Sequence, residues 1–507
     1  MLSVDLEKVF DKVNHVFLWK VLEKFGIPDR FINCIKNLYA NATSRVIFNG
    51  ILTSEIKIGS SVRQGCPLSM VLFVLFIEGL IRKVSANIRG VLLSGKFIRV
   101  LAYADDLVLF IRDNAEFDLV LQIFNSFAET SGIRLNLSKS AFIRINNANG
   151  GPQQFREATE IKILEVIFTE KWSFIIKRNY DKLIGDIQFR LSKHRTRRLN
   201  LIERTWLLNV FMLSKLWYIC QVFPPENVHI AKLRKIVGQF IWGPRQIFKV
   251  ERNQLYLDFE RGGIKLVDPE AKAKALFIKN VLYGNGNDQN EDTNLLNFTK
   301  KQALSRNTKE WLELATTLKA DSKLTCVQTL YRFFISEKRT TPKVEQNFPE
   351  LDWEILWENL GQNFLNSECR SQIFLLLNDL VVSKEKLFKY NIGRLADDLC
   401  EWCGVPESNE HRIKNCVRTT EIWTWLSQTL EVRLKIAGDP EKLLSKAVNY
   451  RDRREKAGLW LTMFVTSYVL RKYPNTSLYC VQKEIRDTRW NSRIYFKKSF
   501  GKWLDVC

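Results

Sequence analysis

Long hydrophobic runs are missing from this chain. The longest, Gly458 to Leu470, is too short to span a bilayer and reads as a buried helix. The N-terminus MLSVDLEKVFDK has no apolar h-region, because acidic and basic residues arrive within its first five to eight positions. That excludes a secretory signal peptide and leads to an intracellular expectation. No internal repeat is visible. Acidic residues are scarce beside basic ones, 55 against 77, giving a net charge of +22 and a pI near 9.5. Such a balance biases the chain towards polyanions, with nucleic acid first and an anionic membrane second. Without an amphipathic anchor, membrane-surface binding ranks last. A disulfide framework is not expected of ten cysteines in a reducing compartment, and three of them cluster with a histidine near position 400.

What is present is room for about three domains in 507 residues, with an ordinary hydrophobic fraction of 46%. A short strand around Ser3 to Leu6 is followed by apolar positions at helical spacing (Val9, Val13, Val16, Phe17, Val21, Leu22, Phe25) that stop at Gly26-Ile27-Pro28. Pro67 to Val84 reads as a largely buried helix, 97–112 as a hairpin, and 114–131 as an amphipathic helix ending at Gly132. These make an α+β domain to about residue 170. A helical, Trp-rich pattern then runs to about 240, and Gly262-Gly263 marks a break. Residues 283–300, YGNGNDQNEDTNLLNFTK, are the best linker candidate. Local basic clusters such as Lys193-His194-Arg195-Thr196-Arg197-Arg198 concentrate charge that suits a phosphate backbone, a nuclear signal or a solvated face.

The stretch FIRVLAYADDLVLFIR sets Asp105 and Asp106 side by side in an apolar, strand-prone segment. Buried charges cost on the order of several kcal/mol each unless they are paired or hold a metal. Successive side chains alternate faces along a strand, so one aspartate should bind a cation directly and the other lie to the side. A solvated Asp-Asp turn is the bland alternative. Two further segments argue against it: SVDLEKVFDKVNH, with Asp5 at a strand end, and SVRQGCPLSMVLF, with Arg63-Gln64-Gly65 before a helix. Nucleotidyl transfer needs a metal pair held by carboxylates from separate strands, and Asp5 with Asp105 fits that need.

In order and spacing these segments, with SGIRLNLSKS at 131–140, resemble the palm motifs of reverse transcriptases from non-LTR (LINE-type) retrotransposons. The resemblance implies an α+β fold: a polymerase palm, an antiparallel sheet with helices, followed by a mainly helical thumb and a C-terminal region with a small zinc-binding module. It implies a palm at 1–170 with its fingers missing, a thumb and connector at 171–282, the linker, and a helical region at 301–395. A zinc module at 396–425 and a basic helical region at 426–507 would follow. The stretch 240–276 resembles the connecting region after the thumb. The chain thus opens in the middle of something, and as written it is expected to bind RNA while its polymerase activity is impaired.

Residue by residue, the resemblance implies that Asp5 and Asp105 are Mg²⁺ ligands, two ions being shared, with Asp106 a weaker or indirect ligand. Phe10 matches the aromatic gate against a 2′-hydroxyl, or is a core Phe on a helix face. Gln64 and Gly65 match the loop against the incoming nucleotide. Arg63 belongs to the same motif or is merely solvated, and Lys139 matches a lysine near the leaving pyrophosphate. Val9, Met70 and Glu165 depart from the family's usual Ala, Pro and Gly, and Glu165 would bring bulk and negative charge beside primer phosphates. Template RNA, primer DNA and dNTPs are the implied partners, with a nuclear location and a cytoplasmic ribonucleoprotein stage; the oligomeric state stays open.

Near the C-terminus CEWCGVPESNEHRIKNC gives C-x2-C-x7-H-x4-C from Cys400, Cys403, His411 and Cys416, enough for a tetrahedral structural zinc. The alternative is buried reduced cysteines with a surface histidine. Trp402, Arg412, Lys414 and Arg418 would stack on and pair with RNA, or Trp402 packs beneath the metal. A non-catalytic nucleic acid-binding remnant is the rival to an RNA-directed DNA polymerase.

Overall fold

A computed structural model describes residues 1–93, 96–145, 151, 154–243, 249–283, 305–318, 324–338, 341–393, 395–436, 440, 444 and 452–492. The chain divides into two compact units, the first running from Met1 to Tyr180 and the second beginning at Asp181. Residues 284–300 of the expected linker, and 493–507 of the expected basic tail, lie outside the described residues.

In the first unit alternation decides the central strand. β1 (Leu2–Val4) turns Leu2 and Val4 into the core, at 0% and 3% exposure, with Ser3 between them. Four more strands complete the sheet: β2 (Val100–Tyr103), β3 (Asp106–Leu109), β4 (Ala141–Phe142) and β5 (Arg156–Glu157), in the order β5-β4-β1-β3-β2. β1 pairs antiparallel with β3, Leu2 opposite Leu109 and Val4 opposite Leu107, and antiparallel with β4 on its other edge. Helices α1 (His15–Lys24), α2 (Asp29–Ala40), α3 (Pro67–Asn87) and α4 (Asn114–Ser131) add their apolar faces to this core.

Two expectations change. Apolar spacing from residue 8 predicts a helix over 8–25, but the helix begins at His15, where the Asn14 side chain accepts the Phe17 N–H and caps it. Before that point the main chain is committed elsewhere: Val62 N–H donates to the Phe10 carbonyl and Ser61 N–H to that of Val13, while Lys8 is left-handed. The α3 helix buries Leu72, Phe73, Phe76, Ile77, Leu80 and Val84, yet leaves Met70, Val71 and Val74 exposed, so it is one-sided rather than largely buried. The α4 helix keeps its expected bounds, with Asp113 capping the Glu116 N–H and Gly132 left-handed at its end. After the sheet, β6 (Glu160–Ile163) and β7 (Val166–Thr169) form a separate hairpin.

The unit boundary falls within α5 (Ile175–His194). Every named element described in the second unit is helical. Its α6 (Leu201–Leu207) continues through a π-helical stretch, Leu208–Leu213, into α7 (Ser214–Val222), followed by α8 (Asn227–Trp242). At the Gly-Gly break a Cβ on Gly263 would stand 2.1 Å from the Leu257 carbonyl oxygen, so no other residue fits there unless the main chain shifts. Beyond it, α9 (Pro269–Tyr283) is fixed by charge: Lys338 Nζ bridges Asp268 at 2.9 Å and Glu270 at 2.8 Å, and Arg234 reaches Glu270 at 2.5 Å. The apolar run near the C-terminus sits inside α10 (Arg453–Lys472) and is buried from Ala457 to Leu470. Among the described residues no helix is long and apolar enough to cross a membrane.

Candidate active site and metal centre

Asp5 follows the last residue of β1, and both of its main-chain groups are held by the segment that precedes β4. Its N–H donates to Ser140 Oγ at 3.0 Å, and its carbonyl accepts the Asn136 N–H at 2.9 Å. Ser140 in turn donates its hydroxyl to the Asn136 carbonyl at 2.8 Å. The Leu6–Leu135 bridge and the Glu7 N–H bonded to the Arg134 carbonyl continue the pairing. The motif SGIRLNLSKS thereby acts as a splint for Asp5, a role of Asn136 and Ser140 that reading the sequence missed.

Asp105 lies in the two-residue turn between β2 and β3, beside Ala104, whose φ of 54° is left-handed. Asp106 opens β3 opposite Tyr103. Continuing the β1–β3 register by one step sets Asp5 against Asp106. The electrostatics agree. Burial raises the Asp106 carboxyl above its ordinary range, and the negative charges of Asp105, Asp5 and Glu165 raise it further, against a hydrogen bond from the Leu164 N–H. Three acids thus lie within electrostatic reach of Asp106. The third, Glu165, comes from the β6–β7 turn, where Leu164 and Glu165 are both left-handed (φ 46° and 66°) and Glu165 pairs with Lys162 at 2.6 Å. Such an accumulation of like charge suits divalent cations.

Phe10 is half-buried, its ring centroid 4.7 Å from that of Phe73, and its carbonyl holds Val62, the residue before Arg63. Arg63 and Gln64 are exposed. Arg63 lies over the Tyr39 ring, 6.0 Å from its centroid. Gly65 has a φ of +83°, with open space where a Cβ would stand, so the backbone conformation and not a close neighbour calls for glycine. Lys139 is exposed in the splint turn, its N–H bonded to Asn136. In the second unit Lys193, Arg195, Arg197 and Arg198 are all exposed at and beyond the C-terminus of α5 and have no ion-pair partner among the described residues.

The Cys/His spacing converges in space. The ligand atoms of Cys400, Cys403, His411 and Cys416 all lie within 4.8 Å of one another, the one such group among the described residues. Cys400, His411 and Cys416 are buried, and His411 Nε2 has no hydrogen-bond partner, an orphan that a metal would satisfy. From the end of α10 the Tyr473 hydroxyl reaches Cys400 Sγ at 3.2 Å and Cys416 Sγ at 3.4 Å. Burial would raise the Cys400 thiol, but hydrogen bonds led by that of Tyr473 outweigh it and bring the pKa down to about 6. Burial holds Cys416 above its ordinary value. Trp402 packs edge-on to Tyr473 with centroids 6.4 Å apart, Arg412 lies over Tyr473 and Arg418 over Trp402. Trp402 is therefore part of the packing around the cluster.

Residues 1–168 match the family described as reverse transcriptase (RNA-dependent DNA polymerase). Over 250 residues the chain is 30% identical to the transposon TX1 uncharacterized 149 kDa protein of Xenopus laevis, a match covering 48% of this chain and 19% of that protein. It is 29% identical over 152 residues to the retrovirus-related Pol polyprotein from type-2 retrotransposable element R2DM of Drosophila melanogaster, covering 30% of this chain and 14% of the relative. With the corresponding type-1 element R2 polyprotein of Popillia japonica it shares 30% identity over 151 residues, covering 30% and 25%. The matched stretches span a quarter or less of the length of these relatives. The first third of the chain is a reverse transcriptase domain related to those of non-LTR retrotransposon proteins.

Proposed function

We propose that this chain is an RNA-directed DNA polymerase that extends a DNA 3′-hydroxyl with dNTPs on an RNA template. The observation that carries the reading is the placement of Asp5, Asp105 and Asp106 at one end of the sheet, just past β1, in the β2–β3 turn and at the start of β3, with these strands paired in register. When bound, two Mg²⁺ ions would lower the pKa of the attacking hydroxyl and steady the leaving oxygen. Asp5 and Asp105 hold them in this reading, and Asp106, whose carboxyl is pushed up by its neighbours, contributes a weaker or indirect contact. Phe10 faces the sugar of the incoming nucleotide, Arg63, Gln64 and Gly65 line its path, and Lys139 stands towards the pyrophosphate. The exposed Lys193, Arg195, Arg197 and Arg198 contact the nucleic acid backbone.

Cys400, Cys403, His411 and Cys416 would hold a structural zinc, which fixes its four ligands in a tetrahedron. The orphaned His411 Nε2 and the three converging thiols support that assignment. The test of the polymerase reading is primer extension on RNA with Mg²⁺. Incorporation should fall at least about a hundredfold in Asp105→Ala, the scale of losing one preorganised electrostatic contact.

A further inference from the structure

Three arginines meet at the end of the β2–β3 hairpin remote from Asp105. The ladder continues one step past β2, where Phe110 N–H donates to the Arg99 carbonyl, so this end lies about 14 Å from the Tyr103–Asp106 turn at the usual rise per residue. One arginine is neutralised. Arg89 bonds Glu116 through its main-chain N–H at 2.9 Å and its Nε at 2.8 Å, and pairs with Asp113. Glu116, buried at the start of α4, gives its second oxygen to the Arg112 main-chain N–H at 2.9 Å. The local acids are thereby consumed.

Arg99 and Arg112 are left with no ion-pair partner among the described residues, yet neither is loose. Arg99 Nε donates to the Ile88 carbonyl at 2.9 Å and Arg112 Nε to the Gly90 carbonyl at 2.6 Å. Both guanidinium carbons lie over the same ring, 5.5 and 5.8 Å from the centroid of Phe97, which is 48% exposed. Gly90 makes room for this. With a φ of +71° it is left-handed, and a Cβ there would stand 2.3 Å from the Ile98 carbonyl oxygen and 2.7 Å from Arg99 Cγ. A buried carboxylate, two main-chain carbonyls and an obligatory glycine together hold two arginine forks side by side, and among the described residues their terminal NH₂ groups have no hydrogen-bond partner.

We infer that Arg99, Arg112 and Phe97 form a contact site for the phosphodiester backbone of a nucleic acid strand. The inference rests on the reverse transcriptase reading for its choice of ligand. Planar guanidinium forks fixed at Nε match phosphate oxygens and lose little rotamer freedom on binding. A second copy of the chain, at +22, is repelled from the same surface.

Binding of labelled single-stranded RNA, followed over about 50 to 200 mM salt, tests it. For two phosphate contacts, R99Q/R112Q should flatten the slope of log affinity against log salt by about 1.4, and each single variant by about 0.7. R99K/R112K, which keeps the charge and loses the fork, should hold the slope while affinity drops several-fold. The single variants serve if the double one melts early. A wild-type slope in folded R99Q and R112Q overturns the inference, and if Asp105-dependent extension persists in them the polymerase reading stands alone. Loss of polyglutamate binding with an unchanged RNA slope assigns the surface to an acidic protein, which also overturns it. A flattened slope in a chain that extends no primer keeps the site and sinks the polymerase reading.

Discussion

Asp5 needs more than a strand to hold its place, because β1 stops one residue short of it. Its N–H and carbonyl are fixed by Ser140 and Asn136, so the direction of the carboxylate depends on a hydroxyl bonded to its main chain. Ser140→Ala leaves the Asp5 N–H without its acceptor, at a cost of about 1–3 kcal/mol. Extension rate should fall roughly tenfold or more with RNA affinity unchanged, a separation that simple unfolding would not give. A second residue-scale outcome concerns Tyr473. A zinc held by three thiolates and one imidazole carries a net negative charge, and the Tyr473 hydroxyl is a donor within reach of two of those sulfurs. Metal analysis should find about one zinc per chain. Tyr473→Phe should weaken retention about 10- to 100-fold in chelator competition, with the four ligands still present.

At the scale of elements, the charges around α9 are the most exacting contacts in the second unit. Asp268 is fully buried, and Lys338 and Arg234 both reach it and Glu270. Lys338→Met should destabilise the second unit by about 3 kcal/mol in chemical denaturation, because it leaves the buried Asp268 with only the longer contact to Arg234. Burial alone would raise the Glu270 carboxyl, but the hydrogen bond and charge of Lys338, then Arg234, hold it below its ordinary 4.5. A depressed carboxylate contributes stability that is present above 4.5 and lost as pH falls through its lower folded value. Acid unfolding should therefore steepen below pH 4.5 in the wild type and flatten in Lys338→Met.

Helix α4 was legible to the residue because Asp113 and Gly132 punctuate it locally. The start of α1 was not, since apolar spacing persists through residues 8–14 while main-chain bonds to residues 61 and 62 claim that stretch. Tertiary pairing overrides periodicity there. The Cys/His convergence could be read from spacing, whereas Tyr473 lies 57 residues beyond Cys416 and no local pattern joins them. The nearness of Glu165 to Asp106 was likewise hidden, because it depends on where the β6–β7 hairpin folds back.

For the molecule as a whole, the activity proposed above, copying a nucleic acid strand, draws on the order of motifs in the first unit and on the excess of basic residues. In that proposal positive charge attracts the template, and the acids at the end of β1 and β3 decide whether anything is made. Primer extension on an RNA template, comparing the full chain with Asp105→Ala at matched RNA occupancy, tests this most directly. Mg²⁺-dependent dNTP incorporation by the wild type, at a low rate if the activity is impaired as the sequence leads one to expect, but lost in the variant while RNA binding is kept, is the expected result. Incorporation that survives Asp105→Ala, or a folded wild-type chain that binds RNA and primer and adds no nucleotide, would contradict it.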